Sequence, residues 1–120
     1  MKKFVYSIAY CFCVMSLSGC VSNNNQYYWG EYETLVYKTH IEPGDVPPLV
    51  QIEQIQADIQ QAEAVNKPVL PGVYAHLGLM YAATGEKSMA LASLNKEKEL
   101  FPESSVFIDG LIERSLNKAD

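Results

Sequence analysis

The side chains of this 120-residue chain that are best suited to covalent or acid–base chemistry are three cysteines and two histidines. Cys11, Cys13 and Cys20 stand near the beginning, whereas His40 and His76 lie far apart. Neither histidine has a second ligand or a carboxylate three or four residues further on, the spacing that forms a metal pair on a helix. Since no glycine-rich phosphate loop or Ser-His-Asp arrangement is visible either, the sequence predicts no catalytic residues, no metal site, no cofactor and no small-molecule substrate.

The first 19 residues have the layout of an export signal. Met1 is followed by Lys2 and Lys3, and residues 4–17 then form an apolar run that only two serines interrupt. A short basic start before an apolar run of this length is typical of a secretory signal peptide, and the run is short for a transmembrane helix. We therefore expect residues 1–19 to be removed on export, although an uncleaved membrane anchor is the alternative.

The end of this segment is where we expect covalent chemistry. Leu17-Ser18-Gly19-Cys20 resembles the bacterial lipobox, in which the cysteine receives lipid on its thiol and, after cleavage before it, on its new amine. Two or more acyl chains make attachment to a bilayer stable, whereas one chain holds a protein only marginally. Cys20 is the predicted lipidation site. Val21 follows it in place of the aspartate that retains lipoproteins in the inner membrane, which implies the outer membrane.

Other roles for the cysteines are less consistent with the sequence. Cys11 and Cys13 as metal ligands would be discarded with the signal peptide, and Cys20 would then have no other cysteine to pair with in a disulfide.

The charge of the chain excludes some partners. Its formal net charge is −5, from 9 basic and 14 acidic residues. Loss of Lys2 and Lys3 leaves seven basic residues against the same 14, or −7. An acidic chain repels phosphate backbones and anionic headgroups, so nucleic acid is not an expected partner and the membrane anchor has to be hydrophobic or covalent.

The chain beyond residue 19 divides into a tether and a domain. Residues 20–30 contain the lipidated cysteine and a polar tether, and residues 31–120 contain the helical domain. Near this boundary Tyr28, Trp29 and Tyr32 form the most aromatic part of the chain. Two interpretations stay open for them: they bind a partner, as aromatic residues at interface hot spots do, or they cap a small core.

Two helices are expected before residue 70. A short one should run from about Glu31 to His40, where the periodicity is ambiguous. A second should begin at Pro47-Pro48 and end near Asn66, because apolar residues recur there at spacings of three and four (Ile52, Ile55, Ile59 and Ala62). Its other side is polar and includes Gln51 and Asp58.

Residues 71–104 resemble a 34-residue tetratricopeptide repeat, with a plain helical hairpin as the alternative. The matching positions are Tyr74, Leu77, Gly78, Tyr81, Ala90, Leu94 and Pro102. Gly78 and Ala90 would be small so that two antiparallel helices cross closely. Gly85 is expected to end the first helix in a left-handed conformation.

Two features of this unit are harder to assign. Glu97 departs from the repeat pattern, which has a small residue there, so we expect looser packing at that end or exposure to solvent. The inner-face positions are small and apolar: Gly72, Ala75, Leu79, Ala82 and Ala83. They either line a peptide groove or receive a neighbouring helix, and the second is favoured.

A third helix is expected after Pro102, from about Val106 to Leu116. Because a single repeat cannot bury its own apolar face, the flanking helices must cap it or a partner must. The predicted fold class is therefore all-α: a short helical array with one tetratricopeptide-like helix hairpin and flanking capping helices.

Taken together, the lipobox, the Tyr28-Trp29-Gly30-x-Tyr32 pattern and the ending of the repeat at Pro102 resemble a domain-of-unknown-function family of small bacterial lipoproteins. The resemblance implies a neighbouring gene for a lipoprotein similar to the curli secretion component CsgG. It also implies an outer-membrane lipoprotein on the periplasmic side, acting as a non-catalytic accessory of a CsgG-like assembly. A periplasmic regulator that docks on a cell-wall enzyme is the alternative.

Overall fold

The computed structural model of the chain describes residues 26–116, besides Met1 and Lys3. Cys20 and most of the predicted signal peptide lie outside the described residues. Within 26–116 the helices are α1 (Tyr32–Ile41), α2 (Pro48–Ala64), α3 (Val73–Ala83), α4 (Lys87–Leu100) and α5 (Ser105–Leu116), with a 3-10 turn at Pro102–Ser104 before the last. The all-α class is confirmed. None of the described helices is both long enough and apolar enough to cross a bilayer.

The two helices predicted before residue 70 are present at nearly the expected positions. α1 begins and ends one residue later than predicted, and α2 ends two residues before Asn66. Pro48 is the first residue of α2, where its missing N–H leaves no hydrogen bond unmade.

The main core forms where α2 meets α3. The predicted stripe of α2 is buried: Ile52, Ile55, Ile59 and Ala62. It packs with Leu35 of α1 and with the buried residues of α3, which are Val73, Leu77 and Tyr81. This cluster joins the first three helices into one body, since burial of apolar surface is the main favourable term in folding.

The crossing of α3 and α4 depends on the absence of a side chain at Gly78. A Cβ there would lie 2.7 Å from Leu94 Cγ, closer than such atoms approach, and 3.1 Å from the Ala90 carbonyl oxygen, which is also a tight contact. Ala90 and Leu94 are themselves fully buried. The predicted close crossing is confirmed, and so is the left-handed Gly85, whose φ is +84°.

α5 covers the other side of the hairpin. Its Ile108 is fully buried in a second cluster with Ala75 and Leu94. Of the five inner-face residues, Ala75 packs against α5 and Ala82 packs against the main core, whereas Ala83 is exposed.

The expectation for Glu97 is wrong. Its side chain is 2% exposed, and its carboxylate accepts hydrogen bonds from the backbone N–H of Gly72 at 2.6 Å and of Ala75 at 3.3 Å. Gly72 stands at the N-cap of α3 and has no side chain with which to satisfy the free N–H groups of that helix end. A carboxylate from α4 does so instead, and the positive end of the helix dipole favours its charge.

Glu97→Ala should lower the free energy of unfolding by about 1–3 kcal/mol, because it leaves two backbone donors unpaired at a buried helix end. Urea unfolding followed by circular dichroism measures the change. Glu99→Ala is the matched control on the same helix: the Glu99 side chain is 67% exposed and forms an ion pair with Lys96. That control should cost less than about 0.5 kcal/mol, and equal losses for the two variants would contradict the capping role.

Candidate interaction surface

The aromatic segment before α1 is attached to the domain by its backbone. The N–H of Tyr28 donates to the carbonyl of Pro68 at 2.8 Å, and Tyr28 forms an isolated parallel bridge with Val69 in the loop between α2 and α3. The Tyr28 side chain is half-buried against the main core. Tyr28, which lies within the predicted tether, thus contacts the domain.

Gly30 turns the chain from this bridge into α1. Its φ of +48° is a left-handed conformation, and a Cβ there would collide with the Asp58 carboxylate and lie 2.6 Å from Tyr28 Cε1. The close approach lets both Asp58 oxygens accept from the N–H of Glu31, the N-cap residue of α1, at 3.1 and 3.2 Å. Gly30 therefore allows a carboxylate of α2 to cap α1.

The inner side of α1 is joined to α2 and α3 through His76. Gln51 donates from Nε2 to the Val46 carbonyl at 2.7 Å, so its Oε1 faces His76 Nε2 at 2.9 Å. Oε1 is an acceptor only, so His76 Nε2 carries the proton and Nδ1 accepts from the Tyr32 hydroxyl at 3.2 Å. The Tyr32 and His76 rings also meet edge to face, with 5.7 Å between their centroids.

Burial changes the acid–base behaviour of this pair. Loss of solvent lowers the pKa of His76 below its ordinary value of 6.5, so the imidazole is neutral at pH 7. Burial and the nearby Glu97 carboxylate raise the pKa of the Tyr32 hydroxyl, which stays protonated and able to donate. His76 is thus a structural residue in the fold.

The three predicted partner-binding residues have different positions. Tyr28 and Tyr32 are half-buried and make the contacts that attach the segment, which agrees with a core-capping role. Trp29 lies between two restrained residues and is 46% exposed. Trp29 is therefore the most accessible of the three side chains, and its backbone is restrained on both sides.

A groove of about 270 Å³ opens beside the loop that holds Tyr28. Its lining is mostly apolar and includes Pro68, Tyr74, Leu100 and Phe101, with Lys67 and Lys96 among the polar groups. Pro68 and Val69 belong both to this groove and to the Tyr28 bridge, so the two features adjoin.

The sequence signals for these contacts were incomplete. The sequence pattern places Gln51 and Asp58 on the polar side of α2, yet Gln51 is buried and Asp58 caps another helix. Gly30 is the local sequence feature that indicates the turn into α1. Within the described residues, no group of three or more histidine, cysteine or carboxylate side chains is placed to hold a metal ion.

The lowered pKa of His76 makes stability depend on pH. Below about pH 6.5 the unfolded chain takes up a proton that the folded chain does not, so the contribution of His76 is complete above pH 6.5 and is lost as the pH falls. We expect the free energy of unfolding to fall more between pH 7 and pH 5 in the wild type than in His76→Gln, which cannot titrate. Urea unfolding at a series of pH values measures both, and parallel curves would contradict the assignment.

Residues 26–111 match the family described as Domain of unknown function (DUF4810), and the chain belongs to that family. The matched range begins two residues before the Tyr28 bridge and ends within α5, so it includes the whole of the surface described above. No curated protein and no solved structure matches the chain.

Proposed function

We propose that this member of the DUF4810 family is an outer-membrane lipoprotein that faces the periplasm and acts as a non-catalytic protein–protein interaction module. Its proposed partner is a CsgG-like lipoprotein of a secretion or assembly complex. The observation that carries the proposal is the lipobox-like Leu17-Ser18-Gly19-Cys20, which ends six residues before the matched domain begins.

The engagement of the ionisable side chains supports a binding module. His76 is hydrogen-bonded on both ring nitrogens to other helices, and the buried Glu97 carboxylate is occupied by backbone N–H groups of α3. Side chains committed in this way stabilise the fold, and no substrate is needed to explain them.

Trp29 is the proposed partner contact. The Tyr28–Pro68 hydrogen bond holds the backbone just before it, and the Asp58 cap at Glu31 holds the backbone just after it. Tryptophan is among the commonest hot-spot residues, and a restrained backbone reduces the entropy lost on binding. The adjoining groove at Pro68 supplies further apolar surface for the same partner.

The anchor is tested with Cys20→Ala. The variant should keep its helical circular dichroism and leave the membrane fraction, because it loses the acyl chains that hold the domain to the bilayer. Fractionation and immunoblotting measure the distribution. Retention of a variant whose signal peptide has been cleaved would contradict lipid anchoring.

The partner is tested by affinity purification of the wild-type protein from solubilised envelopes, with mass spectrometry of the bound proteins. We expect a CsgG-like lipoprotein. Trp29→Ala should weaken its binding about 30-fold if the side chain contributes about 2 kcal/mol. Phe107→Ala is the matched control, since Phe107 is an exposed aromatic residue on α5.

Two results would count against this partner. Equal binding by wild type and Trp29→Ala would remove Trp29 from the interface. Recovery of a cell-wall synthase or hydrolase in place of the CsgG-like lipoprotein would favour the alternative, a regulator docked on a cell-wall enzyme.

A further inference from the structure

α1 carries apolar side chains on two opposite sides. Its inner side contacts the domain through Tyr32, which reaches His76, and through Leu35, which is 3% exposed. Tyr37 follows Leu35 by two residues, a rotation of about 200° around an α-helix, and therefore points away from the core. Ile41 lies one turn further along the same side as Tyr37.

The outer side is uncovered in the structure. Tyr37 is 66% exposed, Ile41 61% and the neighbouring Val36 37%. We call these three residues the outer face of α1. A surface helix of a globular protein normally places polar residues opposite its buried side, and Glu33 and His40 lie there. Two large, exposed apolar side chains one turn apart among them therefore indicate a second contact.

The position of α1 in the chain identifies what that contact is with. Only six residues, 21–26, separate Cys20 from Tyr27, so the Cα atoms of these two residues are at most about 25 Å apart when the chain is fully extended. The backbone of Tyr28 is hydrogen-bonded to Pro68, so the chain is held to the domain from this residue onward. Helix α1 begins four residues later, at Tyr32. Among the helices of residues 26–116, α1 is the one that follows Cys20 most closely in the sequence, so a lipid on Cys20 would hold α1 near the bilayer.

We propose that the outer face of α1 lies against the membrane interface and orients the anchored domain. The inference rests on the lipid anchor of the proposed function. Tyrosine suits the interface because its ring is apolar and its hydroxyl remains hydrated, and Ile41 and Val36 add apolar surface beside it. The tether supplies a high effective concentration, so a contact too weak to recruit a free protein suffices to orient an anchored one.

The charge of the chain determines which lipid is favoured. The outer side of α1 includes Glu33 and His40, whereas Lys38 lies on the side of Leu35 and lines a hollow against α2. The whole chain is acidic. A zwitterionic surface is therefore the better match, and added anionic lipid should weaken the contact.

A tryptophan reporter tests the proposal in the lipid-modified mature protein. Trp29 is the only tryptophan, so Trp29→Phe combined with Tyr37→Trp places a single reporter on the outer face. The matched control combines Trp29→Phe with Phe107→Trp, at a site on α5 that is 60% exposed. Both proteins are anchored in phosphatidylcholine vesicles with and without brominated acyl chains, which quench tryptophan on contact.

The expected result is a shift of the position-37 emission to shorter wavelength and a loss of intensity in brominated vesicles, both larger than at position 107. Phosphatidylglycerol in the vesicles should reduce the quenching. The same reporter in an unlipidated Cys20→Ala background should show neither effect with phosphatidylcholine vesicles at equal protein concentration.

Three results would overturn the inference. Equal quenching at positions 37 and 107, with the protein floating with the vesicles, would leave the anchor in place and remove the outer-face contact. A shift at position 37 that appears without vesicles and grows with protein concentration would assign the face to a second copy of the chain. Failure of the protein to float with vesicles would contradict the lipid anchor and this contact together.

Discussion

The Glu97 carboxylate of α4 is buried against the N-terminus of α3, and the arrangement of the α3–α4 hairpin depends on this contact. The first turn of α3 has unpaired N–H groups, and its N-cap residue, Gly72, has no side chain to accept from them. A carboxylate taken out of water is costly unless it is hydrogen-bonded, and free N–H groups at a buried helix end are costly too. Both costs are avoided only when α4 is positioned so that the Glu97 carboxylate meets the free N–H groups of α3. The same register places Leu94 over Gly78, so polar and apolar contacts select one geometry.

α1 is attached by a different balance of interactions. Leu35 is its only fully buried apolar residue, and the remaining contacts are polar or aromatic: the Asp58 cap at its N-terminus and the Tyr32–His76 hydrogen bond. Such contacts are individually modest in net free energy but directional. They set the orientation of α1 closely, although α1 buries less apolar surface than α2 or α3. One side of the helix is thereby committed to the domain and the outer face is left available.

The proposed membrane and protein contacts share one end of the molecule. The tether leads from Cys20 to the Tyr28 bridge, and Trp29 and α1 follow within a few residues. A lipoprotein partner would itself be held at the same surface, so anchoring confines both proteins to a thin layer and raises their effective concentrations. Orientation of the domain by α1 would then determine whether Trp29 and the groove at Pro68 face that partner. In this proposed arrangement the lipid would keep the domain at the membrane, whereas the restrained aromatic segment would recognise the partner.

The sequence by itself determined the helices and the main buried stripe. Periodicity located α2 and its Ile52–Ala62 face, and the glycine spacing located the crossing at Gly78, because both are local consequences of helix geometry. Only the tertiary structure decided the roles of Gln51, Asp58 and Glu97. Polarity predicted exposure for the first two and the repeat pattern predicted looseness or exposure for the third, yet each bonds to groups at least five residues away and mostly on another element. A polar side chain can be buried when it hydrogen-bonds to a group elsewhere in the fold, and the local sequence pattern does not show which group that is.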